Sequence, residues 1–439
     1  MDRIKEHKFI TIILLLGFIV AVLYAFYFHI KPLVDAKAYD SIAWSLVQGT
    51  GYTEISNPLP DSAIGRLGPG YEFFLAAIYW IFGHRLWVVW VIQSILHTAS
   101  AFIVYRLIRR IYVGDNAEKY AAIGAGFYIF FIDLLEFPAM LMTETLYLFL
   151  VLSGIYFAFL MWERPTLRNV LITSALFTSA LLVRPPVTIL MLVVIGFLMY
   201  RRLWRHAAIF AITAVILLAP WTVRNYLKYD RFIVTSAILG YNIWVGNDPD
   251  SKHIGELTAT EEIDRYTAEE GVFAANERGR GEVLNLALKH PWEFIKLQLA
   301  KTSIYFSAAR PAAFWFHLSG IPQLLTIIFS SSFAFVIFAF GLSGLWMYIK
   351  KRDFISWMIV LTTLAAPVGI IWIAAETRYR YQIYPMMIIL GVIFLAEFLK
   401  SPKRYAKVLS VFTFIIISNT VFDAVRNIPR LMERLQRLF

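Results

Sequence analysis

Two carboxylates follow the first apolar run of the sequence almost at once. The stretch Phe9–Ile30 contains no Asp, Glu, Lys or Arg, and Asp35 and Asp40 come within ten residues of its end. A carboxylate at a membrane interface can act as a general base toward a hydroxyl group. If the stretch that holds them is helical, their spacing separates the two acids by about 140°. We therefore expect only one of them to face a given site.

Further ionisable residues stand at the ends of later apolar runs, where they are costly and tend to mark pathways or sites. The acids are Asp133, Glu136, Glu144 and Glu376. The arginines are Arg184 in LLVRPPV, Arg224 in APWTVRNY, and Arg378 and Arg380 in AAETRYRYQ. An arginine can bind a phosphate through two parallel hydrogen bonds, or it can simply extend to the lipid headgroups. We expect Asp133 and Glu136 to be solvated ends of a short loop. Trp221, with Asn225 nearby, belongs either to a site around Arg224 or to the aromatic belt of the membrane.

If these acids and arginines converge, they suit a group transfer in which a lipid phosphate leaves and a hydroxyl group attacks. At a site outside the cytoplasm no nucleotide sugars are available, so an activated sugar would have to reach such a site on a membrane carrier. The sequence has no cysteine, which removes thiolate catalysis and cysteine-ligated metal from consideration. It also has no HExxH motif, so a metal site would have to be assembled from separate loops.

These residues have to be positioned by membrane helices. Hydrophobic residues make up 59% of the chain and charged residues 16%, against about 45–50% and about 25% in soluble domains. The net charge of +11 does not indicate nucleic-acid binding, because the basic residues form short clusters between apolar runs. These clusters alternate along the chain with loops that are poorer in Lys and Arg. Cytoplasmic loops of membrane proteins are the ones richer in Lys and Arg, so we place the clusters in the cytoplasm. The sequence predicts a multi-pass protein of the plasma (inner) membrane, with a cytoplasmic N-terminus and the acids and arginines above on the extracytoplasmic side.

The apolar runs predict an all-α polytopic protein with about eleven transmembrane helices. We place them near residues 9–30, 86–105, 120–134, 140–161, 169–183, 187–200, 206–222, 323–349, 354–373, 381–399 and 405–423. Some are short, so that one pair is either re-entrant or tilted. The predicted organisation is an N-terminal transmembrane module (1–223) with a first outer loop (31–85), an extracytoplasmic cap loop (224–320) and C-terminal transmembrane helices (321–439).

Several stretches together resemble one superfamily. In chain order they are DAKAYDSIAWSLVQGTGY, RLGPGYEFFLAAIYWIFG, AMLMTETLYLFLVL, LLVRPPV, APWTVRNYLKYDRFIVTS with GYNIWVGN, and ETRYRYQIYPM. The ordered set resembles the GT-C superfamily of integral membrane glycosyltransferases, in the branch of protein O-mannosyltransferases and aminoarabinose transferases. The resemblance covers nearly the whole chain and implies the GT-C fold, with interfacial helices in the extracytoplasmic loops.

The resemblance also implies roles for individual residues. The donor would be a polyprenyl-phosphate sugar, and Asp35 would be the catalytic base, supported by Tyr39. Glu144, with Asp40 as a second candidate, would orient the acceptor or hold a divalent metal ion; the metal itself is left open. The residues implied to bind the donor phosphate are Arg66, Arg224, Arg378 and Arg380. Those implied to support the site are Arg184, Trp221, Asn225 and Glu376.

One departure concerns the acceptor. Protein mannosyltransferases of this superfamily carry Asp followed by Glu in the first outer loop, whereas Asp35 is followed by Ala36. This difference disfavours a protein acceptor over another hydroxyl-bearing acceptor, such as a glycan or a lipid.

The sequence therefore predicts an inverting membrane glycosyltransferase, a hexosyl- or pentosyltransferase, that works with membrane lipids and without nucleic acid. One alternative is a transporter or flippase for a lipid-linked sugar, which predicts polar or broken helices near the bilayer midplane. Another is a noncatalytic assembly protein, which would not need acids paired with arginines on the outer face.

Overall fold

The computed structural model describes residues 2–57, 61–66, 68–251, 254, 257–310 and 317–428, and the regular elements in these ranges are helices. The first ten are α1 (Asp2–Phe28), α2 (Asp35–Val47), α3 (Gly70–Phe82), α4 (Leu86–Ile111), α5 (Ala117–Phe130), α6 (Ile132–Leu135), α7 (Glu144–Glu163), α8 (Leu167–Val183), α9 (Val187–Tyr200) and α10 (Trp204–Tyr229). The others are α11 (Leu239–Asn247), α12 (Glu261–Lys289), α13 (Pro291–Tyr305), α14 (Gly320–Lys351), α15 (Phe354–Ile371), α16 (Tyr384–Lys400) and α17 (Pro402–Arg426).

Within the described residues, seven helices are long and apolar enough to cross a membrane, namely α1, α4, α7, α10, α14, α15 and α17. An eighth candidate span joins α5 to Ile132–Ala139 across a 61° bend. The predicted spans at 169–183, 187–200 and 381–399 coincide with α8, α9 and α16, which have only 17, 14 and 17 residues. An all-helical membrane protein is thus confirmed, while the count of eleven spans is not.

Helix α16 lies inside the bundle because the neighbouring helix α14 lets it approach closely. A Cβ atom added at Gly344 of α14 would lie 2.3 Å from the backbone oxygen of Leu390, and one at Gly341 would lie 2.9 Å from that of Met387. Small residues at a spacing of three or four allow this kind of backbone contact between membrane helices. The close packing fixes the start of α16, and with it the segment 376–382 that precedes it.

The expectation that Asp133 and Glu136 are solvated is wrong. Both side chains are fully buried, because the chain turns back into the protein after α5 instead of running out to water. Gln93 of α4 donates hydrogen bonds from Nε2 to the carbonyl oxygens of Pro138, at 3.0 Å, and Met140, at 2.7 Å. These bonds satisfy backbone groups that irregular structure inside a membrane protein would otherwise leave unpaired. Tyr384 of α16 donates a hydrogen bond to Asp133 at 3.2 Å.

The two long loops that the sequence predicts contain further helices. The first outer loop contains α2 and α3, and the cap predicted at 224–320 contains α11, α12 and α13. Lys301 of α13 is fully buried and donates hydrogen bonds to Asn247 Oδ1 at 2.7 Å and to the carbonyl oxygen of Trp372 at 3.2 Å. Arg310 pairs with Asp423 of α17 at 2.7 Å. The cap is therefore attached to the helices just before segment 376–382 and near the end of α17.

Candidate active site

A cavity of about 720 Å³ opens where the first outer loop, the turn before α7, the cap and segment 376–382 meet. We call it the Asp35 cavity. Its ionisable lining residues are Lys31, Asp35, Arg66, Glu376 and Arg378. Its tyrosine and asparagine lining residues are Tyr39, Tyr241, Asn242 and Tyr379, and the remaining lining is mostly apolar. A site that combines an apolar wall with a few convergent polar groups is typical of ligand pockets.

Asp35 is the first residue of α2 and follows directly after a strained residue. Val34 has φ 48° and ψ −113°, a backbone conformation that is unusual for a β-branched residue and costs about 1–3 kcal/mol. His29, at the other end of the same linker, also has a positive φ of 46°. The linker between α1 and α2 therefore turns sharply at both ends, and this turn sets the position of Asp35.

The carboxylate of Asp35 lies between two arginines. Oδ1 is 3.5 Å from Arg66 Nη1, and Oδ2 is 3.6 Å from Arg378 Nη1. Both distances are long for charge-assisted hydrogen bonds, which are usually about 2.7–2.9 Å. The side chain of Asp35 is 31% exposed, so that its oxygen atoms can also accept a hydrogen bond from a molecule in the cavity.

Glu144 lies beneath this pair and connects it to Arg184. Its carboxylate is fully buried, 3.1 Å from Arg184 Nη2 and 3.9 Å from Arg378 Nε. Arg184 Nε also donates to Thr143 Oγ1 at 2.6 Å, and Nη1 donates to the hydroxyl of Tyr381 at 2.9 Å. Burial acts to lower the pKa of Arg184, but Glu144 and the neighbouring phenol groups outweigh it and raise that pKa overall. Arg184 therefore stays charged, and three side chains hold its guanidinium group in place.

Glu54 is a member of the site that the sequence did not reveal. It is 5% exposed, and its carboxylate accepts two hydrogen bonds from Arg66, one of them from Nε at 3.0 Å. Burial acts to lower the pKa of Arg66, and the hydrogen bond and charge of Glu54 raise it. The one available signal is weak: Glu54 is an acid in the first outer loop, twelve residues before Arg66. We call Asp35, Glu54, Arg66, Glu144, Arg184, Glu376 and Arg378 the acid–arginine network.

Tyr39 and Glu376 lie where the sequence placed them, beside Asp35 and Arg378. Tyr39 is 2% exposed, lines the cavity and packs edge-on against Tyr71 with ring centroids 5.4 Å apart. Glu376 Oε2 is 3.6 Å from Arg378 Nε, and the side chain is 30% exposed. Glu376 is therefore, like Asp35, a partly exposed acid that pairs with Arg378.

Five of the predicted site residues neither line the Asp35 cavity nor belong to the acid–arginine network, namely Arg224, Trp221, Asn225, Arg380 and Asp40. Arg224 stacks over Trp221 at 4.8 Å and over Tyr52 at 5.5 Å. Trp221 Nε1 donates to the carbonyl oxygen of Thr235 at 2.7 Å, and Asn225 Nδ2 donates to that of Ile233 at 3.0 Å. Trp221, at 8% exposure, is thus a packing residue at the end of α10 and not a member of an exposed aromatic belt. Arg380 is fully buried and donates hydrogen bonds to the carbonyl oxygens of Ser307 and Thr377.

Asp40 has its own partners, as its angular separation from Asp35 predicts. Its Oδ1 atom accepts a hydrogen bond from the hydroxyl of Tyr79 at 2.6 Å and lies 2.8 Å from His84 Nε2. The ring of His84 stacks on Trp44 with centroids 4.8 Å apart. Asp40 joins α2 to the end of α3 and does not line the Asp35 cavity.

The acids of the cavity do not fit a divalent metal ion in this arrangement. In the part of the chain that the structure describes, no three His, Asp or Glu residues are placed to hold one. The guanidinium group of Arg378 also lies between Asp35 and Glu144, at 3.6 Å and 3.9 Å, where a shared cation would have to bind. A positive charge at that point repels a second one.

Comparisons with known proteins agree with this architecture. Residues 66–224 match the family model of dolichyl-phosphate-mannose-protein mannosyltransferases. The matched stretch begins at Arg66, contains Glu144 and Arg184, and ends at Arg224. A search of curated proteins gives no match.

Two solved structures share the fold. One is ArnT from Cupriavidus metallidurans bound to undecaprenyl phosphate, with a TM-score of 0.53 and 12% identity over 91% of this chain. The other is the oligosaccharyltransferase of Archaeoglobus fulgidus in complex with zinc and sulfate, with a TM-score of 0.53 and 11% identity over 94% of this chain. The chain spans 62% of the length of the first protein and 52% of the second. The chain therefore shares the fold of these two proteins, which is the GT-C fold that the sequence predicts.

Proposed function

We propose that the protein transfers a sugar from a polyprenyl-phosphate donor to a hydroxyl-bearing acceptor on the extracytoplasmic face of the plasma (inner) membrane, with Asp35 as the general base. The observation that carries this proposal is the position of Asp35. It is one of two partly exposed carboxylates that line the cavity of about 720 Å³, the other being Glu376, and it follows shortly after a membrane-spanning helix whose N-terminal end we place in the cytoplasm. A lipid-linked substrate can reach this point from the bilayer.

Two comparisons support a lipid-phosphate donor. The family model that matches residues 66–224 is named for dolichyl-phosphate-mannose, and the fold neighbour ArnT was crystallised with undecaprenyl phosphate. The cavity itself offers Arg66 and Arg378, whose guanidinium groups suit the oxygen atoms of a phosphate. We assign the donor phosphate to this side of the cavity.

The chemical step that we propose is a single displacement at the anomeric carbon. The acceptor hydroxyl group transfers its proton to the carboxylate of Asp35 as its oxygen forms the new glycosidic bond. The bond from the anomeric carbon to the phosphate oxygen breaks, and its electron pair leaves with the polyprenyl phosphate. Because the acceptor attacks opposite the leaving group, the configuration at the anomeric carbon inverts.

Glu144 acts in this proposal through the arginines. Its carboxylate is fully buried, is not part of the cavity wall and pairs with both Arg184 and Arg378. It therefore holds Arg378 beside Asp35, and we assign the acceptor to the cap residues Tyr241 and Asn242, which also line the cavity. A fixed guanidinium group requires no reorganisation as charge develops on the leaving phosphate.

The proposal is tested by mass spectrometry on the purified protein in lipid nanodiscs, with a panel of polyprenyl-phosphate sugars that differ in the sugar. We expect one donor to remain bound to both the wild type and Asp35→Asn. Free polyprenyl phosphate should be released only by the wild type. If no donor binds to either protein, the proposed function is wrong, and a transport or assembly role takes its place.

A further inference from the structure

The cations in and beside the Asp35 cavity differ in whether a carboxylate already neutralises their charge. Arg66 pairs with Glu54 and Asp35, Arg184 pairs with Glu144, and Arg378 pairs with Asp35, Glu144 and Glu376. The acid–arginine network thus contains three guanidinium groups and four carboxylates. An anion that enters the cavity has to compete with these carboxylates for every arginine, and it meets a network whose formal charge is negative.

Lys31 is the exception on the cavity wall. It lines the same cavity, is exposed, and has no carboxylate or other polar partner among the residues that the structure describes. It stands four residues before Asp35 on the short linker whose two ends have positive φ angles. The turn that positions Asp35 therefore also keeps Lys31 at the cavity.

We propose that Lys31, the cation of the cavity wall without a carboxylate partner, binds the phosphate group of the lipid donor together with Arg66 and Arg378, whose charge the neighbouring carboxylates already offset. This inference rests on the proposed function and names one binding residue within it. A phosphodiester donor carries one negative charge, and the phosphate gains about one more as it becomes a monoester on departure. Lys31 brings the positive charge that the network lacks, and its attraction for the phosphate grows as the bond to the sugar breaks.

The alternative role for Lys31 is a contact with lipid headgroups alone, because lysine side chains near helix ends extend to the headgroups. The two roles differ in what a substitution does. A headgroup contact contributes to membrane insertion alone, whereas a phosphate contact contributes to the affinity for one ligand.

Binding of undecaprenyl phosphate, without a sugar, is measured on purified protein by native mass spectrometry for the wild type, Lys31→Ala, Lys31→Arg and Lys37→Ala. Lys37 is the matched control, because it lies on α2, is exposed and does not line the cavity. We expect Lys31→Ala to bind about 10- to 100-fold more weakly. Lys31→Arg and Lys37→Ala should stay within about threefold of the wild type.

Uncharged undecaprenol serves as the control ligand, and its binding should be the same for all four proteins. Unchanged binding of undecaprenyl phosphate by Lys31→Ala would overturn the assignment of Lys31 and leave the proposed function standing. An equal loss for Lys37→Ala would overturn it as well, because the effect would then be one of general surface charge. A wild type that binds no undecaprenyl phosphate contradicts the proposed function itself, together with this inference.

Discussion

Replacing Glu144 with Gln removes the counter-charge of two buried guanidinium groups. Glu144 is fully buried, 3.1 Å from Arg184 and 3.9 Å from Arg378, and these arginines are only 2% and 8% exposed. Removing one partner of a buried ion pair costs about 3–5 kcal/mol, because the other charge stays buried without compensation. Gln keeps the shape of the side chain, so that the change tests the charge and not the packing.

Glu376 provides the matched control for this substitution. It pairs with the same Arg378 at 3.6 Å, but its side chain is 30% exposed. Exposed pairs contribute about 0–1 kcal/mol, so that Glu376→Gln should lower the free energy of unfolding by no more than about 1 kcal/mol.

The assay is thermal unfolding of the wild type, Glu144→Gln and Glu376→Gln in the same detergent. We expect a clear fall in melting temperature for Glu144→Gln and a shift of at most a degree or two for Glu376→Gln. Equal melting temperatures for the two variants would refute the reasoning, because they would show that the charge of Glu144 is not needed to hold the two arginines.

Three further substitutions test other parts of the structure. Burial lowers the pKa of Lys301 in the folded protein to about 7. Between that pH and about pH 10, Lys301 is protonated in the unfolded protein and neutral in the folded protein. Stability should therefore rise with pH there, by at most about 1.4 kcal/mol per unit, and thermal unfolding of Lys301→Met should show no such slope. Arg66→Lys replaces the planar guanidinium fork, whose Nε and Nη2 bind the two oxygen atoms of Glu54, with a single nitrogen. Steady-state assays should therefore show turnover at least about tenfold lower, and unchanged turnover would contradict this. Gly344→Ala should destabilise by about 1–3 kcal/mol through overpacking, whereas Gly196→Ala, where the added Cβ meets nothing within 4 Å, should not lower the melting temperature.

The membrane class and the GT-C fold were readable from the sequence because each leaves a local signal. Long apolar runs mark spanning helices, and the ordered short motifs resemble the superfamily. The resemblance also pointed to Asp35, and the structure brings Asp35, Arg66, Arg378 and Glu376 to one cavity.

The choice among similar residues could not be made from the sequence. Arg224, Arg378 and Arg380 all follow apolar runs and look alike in the sequence, yet only Arg378 lines the cavity. Arg380 is two residues from Arg378 in a tight 3₁₀ turn, Thr377–Gln382, and it points to Ser307 instead. Such differences depend on how a short turn is rotated, and periodicity carries no information about that rotation.

Buried acids were the other source of error. Glu54, Asp133 and Glu136 are polar residues in apparent loops, which usually indicates solvent exposure. Their burial comes from chain segments that fold back onto the helices, at the bend after α5 and in the first outer loop. The partners that make this burial tolerable, such as Tyr384 for Asp133, lie far away in the sequence.

The central claim is that Asp35 takes the proton of the acceptor. It is tested most directly by the rate at which purified protein releases polyprenyl phosphate from a saturating donor in the presence of acceptor, for Asp35→Asn and Asp40→Asn. Both substitutions remove one carboxylate from α2, but only Asp35 lines the cavity. The account predicts a loss of at least about a hundredfold for Asp35→Asn and a rate within about threefold of the wild type for Asp40→Asn. Full activity of Asp35→Asn, or an equal loss in both variants, would contradict it.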